Sequence, residues 1–213
     1  MSQIISKRRV NDHGEVFTNK REVDAMLDLV KQETERIDSR FLEPACGTGN
    51  FLVEILKRKL NIVEKRYKKV QLEYERNAIL AVSSIYGIDI LQDSLIKCRK
   101  RLFECFNKNY ERLYGENCKE NCRRSIKTVL SLNITHGNAL TLQKEDDSGP
   151  IIFAEWSPIN GQYMKRRDFT FQDLLEYQLA SDLPLFSDLG EDIFIPYPIK
   201  EYQPVPILEI GNE

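Results

Sequence analysis

The chain has 213 residues and a formal net charge of -2, with 41% hydrophobic and 30% charged residues. This balance describes a soluble globular protein with room for one α/β domain of ordinary size and a small appendage, and it excludes an intrinsically disordered chain. No uncharged apolar run reaches the length of a membrane span or forms a signal-peptide core, so the expectation is a cytoplasmic protein with no membrane partner. The charge is uneven. Over 57–124 there are 17 basic and 9 acidic residues, whereas over 145–213 there are 4 and 14. A basic middle can meet a phosphate backbone that an acidic tail repels, although solvated helix faces account for it equally well. The five cysteines, an odd number, read as reduced thiols. Cys118 and Cys122 have no second Cys/His pair nearby, and His13 and His136 are far apart, so no metal site is expected.

In chain order, residues 1–9 are polar and read as loose. A turn follows at Gly14-Glu15-Val16-Phe17-Thr18, and a helical pattern runs over 21–37, with Val23, Met26, Leu27 and Val30 on one apolar stripe. Thr18 suits the N-cap, and Glu22 suits the positive end of the helix dipole. The stretch Phe41-Leu42-Glu43-Pro44-Ala45-Cys46-Gly47-Thr48-Gly49-Asn50-Phe51 then reads as a buried strand, a glycine turn and a helix start. Gly47 and Gly49 allow backbone angles closed to other residues and let a ligand approach the main chain. The N–H groups of the helix starting near Asn50 would face that ligand at the carboxyl end of a strand. A dinucleotide fingerprint would need glycine where Leu52 stands, and no Gly-Lys-Ser/Thr follows for a phosphate loop.

Helical sequence continues over 51–85, with a break expected at Asn61-Ile62-Val63 and a solvated basic face of Lys65, Arg66, Lys68 and Lys69. Tyr86-Gly87-Ile88-Asp89-Ile90 reads as the second strand. An acidic side chain at such a tip can accept hydrogen bonds from both ribose hydroxyls, or it can merely cap the next helix, and Ile90 could wall an adenine ring. A helix over 91–113 buries Leu95, Cys98, Leu102, Cys105 and Phe106 and exposes Lys97, Arg99, Lys100 and Arg101. A further helix is expected over 115–132. The stretch 133–140 reads as a strand followed by a polar turn. Two apolar runs flank Asn160-Gly161, a hairpin signal. On its return strand Lys165, Arg166 and Arg167 could touch phosphates or could simply protect an edge. Beyond Asp188 the proline-rich acidic tail reads as an extended arm.

The block Glu-Pro-Ala-Cys-Gly-Thr-Gly-Asn-Phe resembles the S-adenosylmethionine-binding signature of DNA adenine-N6 methyltransferases of restriction–modification systems. The resemblance covers roughly residues 10–142. It implies an α/β fold, a Rossmann-like three-layer α/β/α sandwich with helical insertions and a C-terminal hairpin and tail. The implied division is a cofactor-binding domain over 1–143 and a hairpin, short helix and tail over 144–213. It implies S-adenosylmethionine as cofactor and DNA as partner. The implied cofactor-binding residues begin with Phe17 and Thr18 covering the methionine end, followed by Glu43, Pro44, Ala45, Cys46, Gly47, Gly49, Asn50 and Phe51 in the loop. Asp89 and Ile90 follow at the ribose and adenine, and Asn138 with Ala139 at the adenine amino group.

Two departures stand out. Asn19 replaces the proline of the family's Gly-x-x-x-Thr-Pro, and the Asp/Asn-Pro-Pro-Tyr/Phe tetrapeptide that activates the adenine amine is absent, since no Pro-Pro occurs anywhere. No catalytic residue can therefore be assigned. The expectation is a truncated methyltransferase or one whose restriction–modification partner supplies the base pocket. The alternatives are a non-catalytic cofactor-binding subunit or remnant, and a methyltransferase acting on a substrate other than DNA.

Overall fold

The computed structural model describes residues 18–175 and 197–212. Residues 1–9, Phe17 and residues 189–196 of the acidic tail therefore lie outside the described residues. The first helices are α1 (Lys20–Leu29) and the short α2 (Lys31–Thr34). The N-cap of α1 is Asn19 rather than the expected Thr18. Its side chain accepts from the Glu22 N–H while the Glu22 carboxylate accepts from the Asn19 N–H, a reciprocal capping box. Only Val23 and Leu27 of the expected stripe are buried; Met26 and Val30 are exposed. The helix ends at Leu29, and α2 turns away.

Next come β1 (Phe41–Glu43) and α3 (Asn50–Tyr67). No break occurs at 61–63. Val63 is fully buried and continues the stripe of Leu52, Leu56 and Leu60, each contributing about 2 kcal/mol on burial. The chain turns instead at 68–70 into α4 (Gln71–Ser83). Then follow β2 (Ile85–Asp89), α5 (Gln92–Tyr114), a 3-10 turn (Gly115–Asn117), α6 (Glu120–Asn133) and β3 (Ile134–His136). The three strands form a parallel sheet in the order β1-β2-β3, with Glu43 paired to Gly87 and Asp89 to His136.

β2 is buried along its whole length, as expected for the central strand of a parallel sheet. Ile85 and the backbone of Gly87 face the helical core, where a Cβ on Gly87 would sit 2.9 Å from Leu52 Cδ1. Tyr86 and Ile88 face the other way, onto Ile151, Phe153 and Phe171. The helices α3 to α6 thus cover one face. The opposite face meets the second sheet and a helical turn at 171–175 rather than a second helical layer among the described residues.

The second sheet is the expected hairpin, β4 (Ile152–Ile159) and β5 (Tyr163–Thr170), turning through Asn160 and Gly161 at φ of 50° and 65°. The described part of the tail does not extend as an arm. β6 (Lys200–Glu201) and β7 (Val205–Pro206) both pair with β5, and the 3-10 helix Ile207–Asn212 packs on α6, burying Ile207 and Ile210. The main core joins Ala154, Trp156, Met164, Ile207 and Ile210 to residues of the first 143.

Two buried polar residues stitch these layers together. Asn133 donates to the Ser83 and Ile85 carbonyls at 3.0 and 3.1 Å and accepts from Trp156 Nε1 at 2.9 Å. Lys59 is fully buried beneath β1, its Nζ donating to the Arg36, Ile37 and Ser39 carbonyls and to Ser84 Oγ. Burial lowers this ammonium from its ordinary value to about 7.

Candidate functional site

β2 runs two residues past the Glu43–Gly87 pair, which brings Asp89 alongside the loop that leaves β1. The Cys46 N–H donates to the Ile88 carbonyl at 2.8 Å, prolonging the strand pairing by one step. Asp89 then clamps the turn: Oδ2 accepts from the Gly47 N–H at 2.6 Å and Oδ1 from the Leu91 N–H at 2.8 Å. One carboxylate therefore holds both the glycine loop and the start of α5. It is 92% buried, by its exposure of 8%.

The two loop glycines do different work. Gly47 has φ +50° and, among the described residues, nothing within 4 Å of where a Cβ would stand. Gly49 has φ +83° and lies on α5, where a Cβ would come within 2.6 Å of Cys98 Sγ. The first leaves the main chain approachable; the second lets the loop lie flat on the helix. The Gly49 N–H closes the turn on the Cys46 carbonyl at 2.8 Å.

Asn50 and Arg101 hold the outer side. Asn50 Nδ2 donates to the Thr18 carbonyl at 3.0 Å, tying the segment before α1 to the loop. Arg101 Nη1 donates to Asn50 Oδ1, Thr48 Oγ1 and the Thr48 carbonyl at 2.9, 3.0 and 2.6 Å. The sequence pattern placed Arg101 on a solvated face with Arg99, which in fact donates to the Ile134 carbonyl. Cys98 and Arg101, three residues apart on α5, are the site-supporting residues that sequence reasoning missed. Their signal was local: a small buried side chain and a long cation one helical turn apart, opposite the glycines.

The titratable groups here are not poised for proton transfer. Burial pushes the Glu43 carboxyl up, partly offset by a hydrogen bond from the Ala45 N–H. The Cys46 thiol is pushed up by its hydrogen bond with Cys98 and then by burial, so it is no nucleophile. Among the described residues no cluster of His, Cys, Asp and Glu suits a metal ion.

At the end of β3 the Gly137 N–H donates to the Asp89 carbonyl at 3.1 Å, and His136 Nε2 lies 3.1 Å from the Ile90 carbonyl. Asn138 Oδ1 accepts from the Leu140 and Thr141 N–H groups at 2.9 and 3.4 Å. The amide oxygen expected to meet adenine is thus engaged in its own turn, an Asx-turn with no left-handed φ. Thr18, the loop, Asp89, Ile90 and Asn138 are gathered at the carboxyl ends of the three strands. Pro44 and Ala45 are exposed beside them, and Phe51 and Ala139 pack against the two cores instead.

The hairpin cations behave otherwise. Lys165 pairs with Glu201 at 2.7 Å, Arg166 is bidentate to Asp168 at 2.7 Å, and Arg167 meets Glu155 at 2.9 Å. The expected phosphate contacts are spent on carboxylates.

Residues 16–149 match the family model of the MmeI DNA-methyltransferase domain, well over half of the chain and the part that holds the whole loop, Asp89 and Asn138. The chain belongs to this family. The MmeI methyltransferase match ends before β4, so the hairpin and the C-terminal residues lie beyond it. A protein of Methanocaldococcus jannaschii described as a type II restriction enzyme and methyltransferase is 32% identical over 84 residues, which are 38% of this chain and 7% of that relative. The chain therefore spans only a small part of the relative's length. No solved structure matches. This is a restriction–modification type methyltransferase domain with an α/β fold.

Proposed function

We propose that the loop 43–51 binds S-adenosylmethionine, and that the chain is the cofactor-binding part of a cytoplasmic DNA adenine-N6 methyltransferase. The single observation that carries this reading is the clamp of Gly47 N–H on Asp89 at the carboxyl ends of a parallel sheet, with no described residue over Gly47. On this reading the parallel sheet is the first part of a Rossmann-like methyltransferase sheet, residues 1–143 hold the cofactor, and 144–213 form the appended hairpin and tail.

The donor set suits the ligand. Gly47 leaves room for close main-chain approach, Asp89 places a carboxylate at the strand tip where ribose hydroxyls would lie, and Ile90, 36% exposed beside it, offers an apolar wall. Asn138 would present its amide N–H groups rather than its oxygen, a change from the role that the resemblance implies. Thr18, held by Asn50, borders the site on the α1 side. When bound, the cofactor supplies a methyl group on a sulfonium, an electrophile that needs positioning more than acid–base help. The contribution of these residues is to bind and orient.

The missing amine-activating tetrapeptide favours a second reading, a cofactor-sensing subunit that transfers nothing by itself. Its amine-binding groups would come from a partner. Calorimetry with S-adenosylmethionine tests the shared premise, and absence of binding would sink both readings. Incorporation of tritiated methyl into DNA, with and without partner proteins, separates them. Label appearing in adenine selects the enzyme, and none under any partner condition selects the sensor.

A further inference from the structure

We propose that the groove between α3 and α5 is a contact surface for the phosphodiester backbone of duplex DNA, distinct from the cofactor site it adjoins. The inference rests on the restriction–modification methyltransferase reading for the choice of DNA, and on the groove itself for the location.

The groove has a volume of about 510 Å³ and a floor that includes Val53, Leu60 and Cys105. Its rim carries Lys57, Arg101, Lys108 and Arg112 against Glu64 and Glu104, an excess of two positive charges by the count of four against two. The cations are not all spent. Arg112 pairs with Glu64 at 2.5 Å, and Lys57 shares Glu54 with Lys20. Lys108 makes no ion pair among the described residues. Among the described residues Arg101 has no carboxylate partner, and only its Nη1 is engaged by the loop, out of five N–H donors.

Spacing decides the kind of anion. Arg101, Lys108 and Arg112 follow one face of α5 over eleven residues, about 16 Å at the helical rise of 1.5 Å per residue. That length exceeds the reach of a single nucleotide's phosphates and matches about five steps along one strand of B-DNA. The contrast with the hairpin supports the choice. There each of the three cations has a carboxylate partner, Arg166 along its own strand, whereas on α5 Arg101 and Lys108 have none among the described residues. A row of cations beside the cofactor loop would anchor the duplex without reading its sequence.

The test uses the full chain and a fluorescein-labelled 30-base-pair duplex, followed by anisotropy as salt is raised. The wild-type chain should bind, and the double variant Lys57→Glu/Lys108→Glu should bind about tenfold or more weakly at 100 mM salt. Its slope of log K against log salt should shrink by about 2. Lys165→Glu, a hairpin control outside the groove, should stay within about twofold of wild type. Unchanged affinity and slope in the double variant overturn the proposal, as does a wild-type chain that binds no duplex at 50 mM salt. Displacement of the duplex by poly-glutamate at equal charge also overturns it, in favour of an acidic protein partner. Calorimetry with S-adenosylmethionine on the same samples keeps the readings apart: intact cofactor binding with failed duplex binding removes the groove and leaves the cofactor site standing.

Discussion

The glycine loop and the hairpin are both turns between regular elements, and both carry a dense set of polar residues. They resolve those polar groups in opposite ways. In the hairpin the side chains satisfy one another, Arg166 with Asp168 along β5 and Arg167 with Glu155 across the ladder. In the loop the side chains satisfy the backbone. Asp89 takes the Gly47 N–H, Asn50 takes the Thr18 carbonyl, and Arg101 takes the Thr48 carbonyl. Side chains that pair with each other build a stable edge; side chains that hold irregular main chain build a shaped opening.

The comparison breaks most sharply at Gly49. Gly49→Ala places a methyl 2.6 Å from Cys98 Sγ at φ +83°, and is expected to abolish cofactor binding in calorimetry. It should also cost about 3 kcal/mol in denaturant unfolding, from strain and overpacking together. Asp89→Ala comes next. It releases Gly47 and Leu91 while leaving the core intact, so cofactor affinity should fall by about 10- to 100-fold, a loss of about 1.4 to 2.8 kcal/mol. Asp89→Asn, which keeps one acceptor oxygen, should fall between wild type and Asp89→Ala.

Lys59 tests the frame beneath the loop. The folded chain holds its proton only up to about pH 7, while the unfolded chain holds it to about 10.4. Between these values the unfolded state binds more protons, so stability should rise with pH across that window. The cost of the buried charge is fully present below it. Lys59→Met should flatten this slope in melting curves taken from pH 6 to 10. Trp156→Phe, which strips the bond to Asn133, should cost about 1 to 2 kcal/mol without touching cofactor affinity. The smallest effect belongs to the hairpin surface: Lys165→Ala should change stability by less than about 0.5 kcal/mol. A larger loss there would mean that the ladder charges do more than cover an edge.

Much of this was legible in the residues. The strand–glycine–helix run at 41–51, the strand at 85–89, the long α5 and the Asn160-Gly161 hairpin follow from local chemistry, because a positive φ, a 3.6-residue stripe or an apolar run leaves its mark within a few positions. Asp89 was legible as the tip of a strand. Its partner Gly47 lies 42 residues earlier, and only the parallel register reveals the clamp. Asn61, Ile62 and Val63 looked like a break because a polar residue interrupts the run, yet Val63 lies on the buried stripe and the helix passes through. The tail was misread because composition describes a segment's own preferences and not the edge that waits for it. Val205 finds an open side of β5, and Ile207 a gap on α6. Arg101 was misread for the same reason, since its acceptors on Thr48 and Asn50 lie more than 50 residues away.

The packing of Gly49 on Cys98 also supplies a chemical clock. Cys98 is wholly covered, and Cys46 beside it nearly so, whereas Cys105 and Cys118 are half-buried. A thiol reagent should therefore modify the outer pair promptly and reach Cys98 only during those moments when the loop lifts from α5. The rate of that slow phase counts loop openings in the native protein, with no label added and no residue changed. Any ligand that grips the closed loop must slow the clock by the factor 1 + [L]/Kd. Peptide mapping of modified Cys98 would thus report both how often this loop opens and what holds it shut.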